Sequence, residues 1–296
     1  MKREGTKYGV LLMLLSVVAF AIMASLVKTV SEVSTYVTVF MRFAVGVGIL
    51  SILALFRKID LKFFNSPLLL LRGISGTASV ALFYLAIVKI GVGKGSVYSY
   101  SYPVFASLLS VFMLKERVSF MNWVMIITAF VGILLLSWHP GSEDGVSFNW
   151  YEFLAILSAL TNAISIILVK KLHNTDSSTS IFFSQSIVGF WIFLIPANLP
   201  TLTGPITASY ILIIIGLVSA AAQLLNTEAY RHISVSAGSP LHMLIPVLNV
   251  LIGVFLFGEV LSLIEYAGAF LVVLSCVGIM MVNAMQRGFV PFKLLH

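Results

Sequence analysis

Apolar stretches of about 20 residues follow one another along almost the whole chain, separated by short polar connections. They lie near residues 8–29, 36–56, 67–88, 95–114, 119–138, 150–170, 179–196, 208–230, 234–257 and 261–283. A helix of about 20 apolar residues matches the roughly 30 Å hydrocarbon thickness of a bilayer. A segment in lipid must also satisfy its own backbone hydrogen bonds, which a helix does. The sequence therefore predicts an all-α integral membrane protein with ten transmembrane helices.

The basic residues are concentrated in alternate connections. Only 10% of the residues are charged, against roughly 25% in a soluble domain, yet the net charge is +7. If the N-terminus is cytoplasmic, Lys28, Lys89 and Lys94 are the basic residues left on the far side. The cytoplasmic segments then hold Lys2, Arg3, Lys7, Arg57, Lys58, Lys62, Lys115, Arg117, Lys170, Lys171, Arg231, Arg287 and Lys293. By the positive-inside rule both termini are predicted to be cytoplasmic. The charge reflects membrane topology, and no nucleic-acid partner is expected.

The two halves of the sequence align with each other at an offset of 143 residues. Matched pairs include Lys28 with Lys171, Gly46 with Gly189, Gly73 with Gly216, Pro103 with Pro246, and Glu116 with Glu259. Each repeat, residues 1–143 and 144–296, holds five predicted helices within one membrane domain. Because five is odd, the second repeat must enter the membrane inverted. Inverted repeats are typical of secondary transporters, which place their substrate site between the two halves.

The stretch "GVGKGSVYSY" from Gly91 to Tyr100 has the composition of a phosphate-binding loop. A P-loop requires GxxxxGK[ST] between a strand and a helix, and neither the spacing nor the helical context fits. The repeat partner of Lys94 is Ala237, so the lysine is not shared by the second copy. We expect a tight interhelical turn in which the glycines allow two backbones to approach closely.

The ends of the fourth and ninth predicted helices carry related motifs. These are "YPVFASLLSVFMLKERVS" (Tyr102–Ser119) and "IPVLNVLIGVFLFGEVLS" (Ile245–Ser262), with "FMRFAVG" and "LLRGISG" in the second and third helices. In these motifs and in the five-plus-five repeat, the chain resembles the EamA-type ten-helix members of the drug/metabolite transporter superfamily, from about Tyr8 to Asn283. The resemblance implies metabolite transport across a bacterial-type cytoplasmic membrane. It also implies that the first, third, fourth, sixth, eighth and ninth helices surround the pathway.

Polar side chains recur on single faces of several predicted helices. The eighth helix carries Gln223 and Asn226, and the ninth carries His242 and Asn249, at spacings that keep each pair on one face. Buried polar groups in lipid need a partner or a wet cavity. The candidate substrate-binding residues are therefore Gln223, Asn226, His242, Asn249, Tyr98, Tyr102, Thr161, Asn162, Ser79 and Arg72. The alternative is that Ser and Thr bond their own helix backbone and that Asn and Gln join neighbouring helices.

Two prolines and two arginines complete the candidate site. Pro103 and Pro246 are predicted to kink their helices around a central site and to act in gating. Arg42 and Arg72 lie one to two turns inside their helices, where each is able to bind a carboxylate or phosphate. Each is also close enough to the membrane interface for its charged group to reach water.

The sequence favours a carrier over an enzyme. It contains no HExxH or GxSxG motif, its five histidines are scattered, and Cys276 is its only cysteine. No catalytic residue, metal or cofactor is therefore predicted. No acidic residue lies near a helix centre, so proton coupling has no support. We predict an alternating-access exporter of small metabolites such as amino acids, with the lipid bilayer and a small-molecule substrate as its partners. An exchanger or importer of a larger or anionic metabolite, and a channel or sensor, remain alternatives, and the oligomeric state is open.

Overall fold

The computed structural model describes residues 2–56, 66–114, 120–137, 149–172, 175–197, 206–232 and 241–286. Within these ranges the chain is helical and contains no strand. The helices are α1 (Lys2–Thr29), α2 (Thr35–Leu55), α3 (Pro67–Ile90), α4 (Val92–Ser99), α5 (Tyr102–Leu114), α6 (Phe120–Leu136), α7 (Trp150–Leu172), α8 (Ser178–Leu194), α9 (Ile206–His232), α10 (Leu244–Phe257) and α11 (Leu263–Gln286).

Six helical segments are long and apolar enough to cross a membrane. They are Lys7–Thr29, Thr35–Leu55, Pro67–Ile90, Trp150–Val169, Ser209–Asn226 and Leu263–Val282, and three shorter apolar helices accompany them: α6, α8 and α10. Many large apolar side chains on these helices are exposed, among them Phe255 (80%) and Phe270 (67%). Such an apolar exterior suits contact with lipid and is rare on a soluble monomer. The prediction of an all-α membrane protein is confirmed.

The fourth predicted span is not one continuous helix. It divides into α4 and α5 at Tyr100 and Ser101, and the ninth is interrupted in the same way at Met243, just before α10. A proline lacks a backbone donor and clashes with the carbonyl four residues earlier. That residue is Ser99, the last of α4, for Pro103. The proline therefore accounts for the position of the break.

The helices pack in pairs that cross the boundary between the two halves of the sequence. The closest pairs are α1 with α9, α3 with α7, and α6 with α11. Helix α2 also packs on α8 and α9, α3 on α8, and α4 on α10. One hydrophobic cluster joins α1, α2, α3 and α9 around Phe43 and Tyr84, and a second joins α4, α6, α7 and α11 around Tyr98. Each hydrophobic cluster among the described residues draws on both halves of the chain.

Glycines lie where helices of the two halves make their closest contacts. A Cβ atom on Gly73 would lie 2.7 Å from the Val188 side chain, and one on Gly216 would lie 2.6 Å from the Val45 side chain. Gly73 and Gly216 are 143 positions apart in the sequence, and so are Val45 and Val188. The two contacts therefore involve corresponding residues of the two halves. The small residues let α3 approach α8, and α9 approach α2, as in other membrane bundles.

We expect Gly189→Ala to destabilise the protein by about 1–3 kcal/mol, because overpacking a close helix contact forces side chains or backbones to move. A Cβ at this position would overlap the ring of Phe43. Gly46→Ala, its repeat partner, would approach the Ser186 hydroxyl at 3.2 Å and the Phe182 ring at 3.7 Å, and Gly48→Ala would meet nothing within 4 Å. Thermal unfolding of the three purified variants checks this order. Equal midpoints for Gly189→Ala and Gly48→Ala would contradict it.

Candidate functional site

A cavity of about 610 Å³ lies in the middle of the helix bundle. Its walls come from α1, α2, α3, α7, α8 and α9, from the break between α4 and α5, and from the turn before α10. The cavity reaches the connection between α7 and α8 at residues 176–178. Its polar lining residues include Arg42, Arg72, Ser79, Ser99, Tyr100, Tyr102, Ser158, Asn162, Ser165, Asp176, Gln185, Gln223, Asn226 and His242. Its volume suits a small metabolite.

The structure brings most of the candidate substrate-binding residues together in this cavity. The lining includes Arg72, Ser79, Tyr102, Asn162, Gln223, Asn226 and His242. They come from five different parts of the chain, so the polar faces recognised along separate helices converge on one space.

Three candidates lie outside the cavity and bond to other protein groups. The Tyr98 hydroxyl is 2.5 Å from the Ser137 hydroxyl, at the end of α6. Thr161 donates to backbone carbonyls of its own helix, at 2.9 Å and 3.0 Å. The Asn249 amide donates to the Ser96 hydroxyl at 2.7 Å and so joins α10 to α4. In this conformation the three side chains support helix packing.

The helix breaks before Pro103 and Pro246 place polar and aromatic groups on the cavity wall. Ser99 and Tyr100 lie at the end of α4, and His242 precedes the turn at Met243. All three line the cavity. The prolines thus determine where the two interrupted spans present side chains inward, while their role in gating stays a prediction.

Arg72 enters the cavity beside α8. It is buried, and its Nη2 donates to the Gln185 side-chain oxygen at 2.9 Å. Gly76 lies one turn further along α3, and a Cβ at this position would overlap Nη1 of Arg72. Gln185 is in turn held near α3 because the Thr77 hydroxyl donates to the backbone carbonyl of Gln185 at 3.2 Å. The guanidinium therefore occupies a space that only glycine leaves open.

Arg42 is the second buried arginine of the cavity. Its Nη1 donates to the Met23 sulfur at 3.0 Å and to the Tyr84 hydroxyl at 3.1 Å. The guanidinium carbon also lies 5.6 Å from the centre of the Tyr84 ring. These partners orient the cation without neutralising it, since none carries a negative charge.

Several buried polar atoms of the cavity wall have no hydrogen-bond partner among the residues that the structure describes. They are Nε and Nη1 of Arg72, Oγ of Ser99, Oδ1 of Asn226 and Nε2 of His242. Leaving a buried polar group unsatisfied costs about 1–3 kcal/mol. Their convergence on one space indicates a cavity whose polar groups are completed by water or by a bound solute.

Aromatic rings form another part of the wall. Tyr100 lies edge-on to Phe83 at 5.7 Å between ring centres, and His242 lies edge-on to Phe20 at 5.7 Å. Tyr100 and His242 are themselves 6.1 Å apart. These separations are typical of aromatic contacts and create a largely apolar surface. The cavity therefore combines cationic and aromatic surfaces.

A buried charge cluster lies at the other end of the bundle. The Lys94 ammonium is 3.0 Å from the Glu152 carboxylate and 2.9 Å from that of Glu265. Glu152 lies in the first turn of α7, whereas the residues of this helix that line the cavity run from Ser158 to Val169, roughly 9 to 25 Å further along at 1.5 Å per residue. The Lys94 cluster joins α4 to α7 and α11, and none of its three residues lines the cavity.

The glycine-rich segment around Lys94 does form a tight turn, and it binds an anion from within the protein. Gly91 has φ of 96° and is the single residue between α3 and α4. The Glu259 carboxylate accepts from the backbone N–H groups of Val92 at 2.6 Å and Gly93 at 3.0 Å. Backbone donors at a helix start favour negative charge, which explains the likeness to a phosphate loop.

The Lys94 cluster and Gln185 were not among the candidates from sequence. Lys94, Glu152 and Glu265 lie near the ends of apolar stretches, where charged residues are expected to reach water. The available signal was the lack of a basic repeat partner for Lys94. Gln185 lies 143 positions after Arg42, and a glutamine inside an apolar stretch is itself such a signal.

Several known proteins similar to this chain are named as transporters. The pseudopaline exporter CntI of Pseudomonas aeruginosa (strain UCBPP-PA14) is 27% identical over 282 residues, which cover 92% of this chain and 96% of that protein. An S-adenosylmethionine uptake transporter of Rickettsia bellii is 29% identical over 168 residues, 57% of this chain and 56% of that protein. A riboflavin transporter of Vibrio cholerae is 31% identical over 176 residues, 58% of this chain and 57% of that protein.

A solved crystal structure has the same fold, with a TM-score of 0.62 and 16% identity, and the match covers 96% of this chain and 97% of that one. The sequence pattern of the EamA-like transporter family matches residues 7–138 and again residues 149–281. These two matches include the residues that line the cavity and those of the Lys94 cluster. The protein therefore belongs to the EamA-like transporter family.

Proposed function

We propose that the protein is an alternating-access secondary transporter that exports a small metabolite across the cytoplasmic membrane. The observation that carries the proposal is a central polar cavity that reaches one end of the bundle, while a buried charge cluster joins the helices at the other end. A carrier in one of its two end states has this arrangement. The proposal includes ten transmembrane spans, with α4 and α5 forming the fourth and α10 the main part of the ninth.

The helix packing supports two inverted repeats. With ten spans, α3 packing on α7 corresponds to α9 packing on α1, and α2 packing on α9 corresponds to α8 packing on α3. The contacts of Gly73 with Val188 and of Gly216 with Val45 obey the same correspondence. Two halves that are nearly equivalent are able to exchange conformations, which moves the opening from one side to the other.

The Lys94 cluster breaks this equivalence. At an offset of 143, Lys94 corresponds to Ala237, Glu152 to Gly9 and Glu265 to Asn122. If the two halves exchanged conformations, the end of the bundle that holds the Lys94 cluster would open. The end at the connection between α7 and α8 would close without an equivalent charge cluster. We infer that the cluster favours the state described here. With cytoplasmic termini, as the positive-inside rule predicts, that state is open to the cytoplasm.

The direction and the substrate are supported by different observations. The relative that spans nearly the whole chain is named an exporter, which supports outward transport. Amide and hydroxyl groups of the cavity suit amino acids, the substrate class that the sequence suggested. The two buried arginines favour the alternative of an anionic metabolite, and export or exchange of such an anion is the second candidate function.

Counterflow in proteoliposomes tests the carrier assignment. Vesicles are loaded with a pool of amino acids and organic acids, and entry of each labelled compound is followed without an ion gradient. A carrier gives saturable entry that depends on the internal pool. Flux that rises linearly with concentration and ignores the internal pool would indicate a channel, and absence of flux from folded protein would remove the transport assignment.

Two alanine variants separate substrate contacts from packing contacts. Gln223→Ala changes the cavity wall and is expected to raise the KM of counterflow by roughly tenfold, the effect of one lost hydrogen bond to a polar solute. Asn249→Ala removes the bond to Ser96 between α10 and α4, and is expected to lower the unfolding midpoint while leaving KM near that of the wild type. The reverse pattern would place Asn249 in the substrate site.

A further inference from the structure

The guanidinium of Arg72 has unused hydrogen-bonding capacity in a buried position. Nη2 donates to Gln185, whereas Nε and Nη1 have no partner within the described part of the chain, and the residue is only 7% exposed. Removing one member of a buried ion pair is strongly destabilising because the remaining charge is uncompensated. The structure contains this kind of uncompensated charge at the edge of a cavity. An anion bound here would supply the missing partner.

The surroundings of Arg72 hold the cation in place but leave its charge intact. Gly76 provides the space for Nη1, and Gln185 provides a neutral oxygen acceptor on α8. An arginine that served only as an anchor at the membrane surface would extend towards water. Arg72 instead contacts a buried glutamine from the other half of the protein. These contacts fix the guanidinium in one position beside the cavity.

The charge of the cavity is positive on balance. Arg42 and Arg72 are both buried, and the partners of Arg42 are a thioether and a phenol. Among the described lining residues, the acidic one is Asp176, at the connection between α7 and α8. Asp176 is half-buried and accepts from the Thr175 hydroxyl at 2.7 Å. Within the bundle, an ammonium group would meet two cations and no described carboxylate of the wall.

The remaining wall is suited to an apolar body. Phe20, Phe83, Tyr100 and Tyr102 line the cavity together with the guanidinium groups. Rings of this kind contribute apolar contact area and prefer edge-to-face contact with other rings. A ligand that satisfies both surfaces has an anionic group at one end and an apolar or aromatic group at the other.

We propose that Arg72 binds the carboxylate of an organic anion with an apolar or aromatic body, and that the cavity prefers such an anion to the corresponding zwitterionic amino acid. The proposal rests on the transport function above and names its substrate class. Arginine and carboxylate form strong charge-assisted hydrogen bonds, and an added ammonium group loses its hydration without gaining a counter-charge. Arg42 contributes a second positive charge to the same space.

A matched series of ligands tests this preference on the purified full-length protein. The probes are 3-phenylpropionate, its amide 3-phenylpropionamide, and L-phenylalanine, which adds only the amino group, with parallel sets built on indole and hexyl bodies. Binding is measured as the shift in thermal unfolding, detected with a thiol-reactive dye on Cys276, the only cysteine. We expect the anion of at least one set to bind roughly ten- to a hundred-fold more tightly than its amide and amino acid.

The variants identify the group responsible. Arg72→Gln is expected to abolish the preference for the anion. Gly76→Ala is expected to weaken it by displacing Nη1, while the side chains of Arg72 and Gln185 are both kept. Lys89→Gln is the control, because it removes one positive charge from an exposed position on the same helix. If Arg72→Gln fails to fold, Arg72→Lys and Gly76→Ala carry the test. An amide that binds as well as the anion, a preference that is unchanged in Arg72→Gln and Gly76→Ala, or no stabilisation by any anion overturns the proposal.

Counterflow of the same compounds separates this proposal from the carrier assignment. If the amide or amino acid exchanges saturably and the anion has no advantage, the carrier stands and the anion site does not. If the anion binds in an Arg72-dependent manner but no compound exchanges, the anion site stands and the carrier assignment falls.

Discussion

Replacement of Lys94 by methionine is expected to lower the unfolding midpoint by on the order of 10 °C. The change removes the ammonium group that lies 3.0 Å from Glu152 and 2.9 Å from Glu265, and both carboxylates stay behind in a buried position. Breaking a buried ion pair from one side costs about 3–5 kcal/mol. For a chain of this size, each kcal/mol corresponds to roughly 2–4 °C. Methionine preserves the volume and the apolar stem, so the loss reports mainly the charge.

Two further variants distinguish electrostatics from packing. Lys89→Met removes a lysine from an exposed position five residues earlier and is expected to leave the midpoint nearly unchanged. Lys94→Met combined with Glu152→Gln and Glu265→Gln removes all three charges and is expected to recover most of the loss, because a buried charge cluster is often replaceable by neutral groups. Exposure of Cys276 to a thiol-reactive dye reports unfolding in each case. If Lys94→Met matched Lys89→Met, the cluster would have no part in joining α4 to α7 and α11.

Replacement of Glu259 by alanine is expected to destabilise the protein by about 2–4 kcal/mol. The carboxylate accepts from the backbone N–H groups of Val92 and Gly93, and hydrogen bonds to a charged group contribute about 1.5–3 kcal/mol each. Helix α4 has only eight residues, too few to be stable without external contacts. Loss of its cap therefore affects the whole helix, including Lys94.

Neighbouring substitutions give this prediction its controls. Val260→Ala changes a side chain that is 92% exposed in the same turn and is expected to be neutral. Glu259→Gln keeps an oxygen acceptor without the charge and is expected to lie between wild type and Glu259→Ala. Gly253→Ala is expected to resemble Glu259→Ala, because its Cβ would overlap the carboxylate and approach the Gly93 nitrogen to 3.2 Å. A Glu259→Ala midpoint equal to that of Val260→Ala would mean that α4 does not need this cap.

The turn that positions Glu259 can be predicted from the sequence, but the groups that its carboxylate binds cannot. Gly258 ends α10 with φ of 62°, and the amide of Glu259 returns to the Gly253 carbonyl at 2.9 Å. A glycine after an apolar helix predicts this ending. The carboxylate then reaches α4 from the other half of the chain, a contact separated by 167 residues along the sequence. Sequence patterns within one helix or turn give no information about a contact between residues so far apart along the chain.

The candidate site was predicted in part for the same reason. Helical periodicity identifies which residues share a face, so Gln223 and Asn226 were found as a pair on α9, and both line the cavity. Asn249 shares a face with His242 in the sequence, but the interruption at Met243 separates them. Asn249 packs on Ser96, whereas His242 lines the cavity. A proline signals such a break, but the direction in which the chain continues depends on neighbouring helices.

Hydropathy and the internal repeat were sufficient to predict a helical membrane protein related to transporters. Both are properties of segments about 20 residues long or of their order along the chain, and lipid leaves a helix as the natural solution for each apolar segment. The charges required the tertiary structure. Lys94, Glu152 and Glu265 look like residues that reach water at helix ends, and Arg72 looks like another. Packing turned the first three into a neutralised cluster and left Arg72 buried with no counter-charge among the described residues. The reason is that the position of a helix end relative to other helices decides whether a charge meets water, an opposite charge or an unfilled cavity.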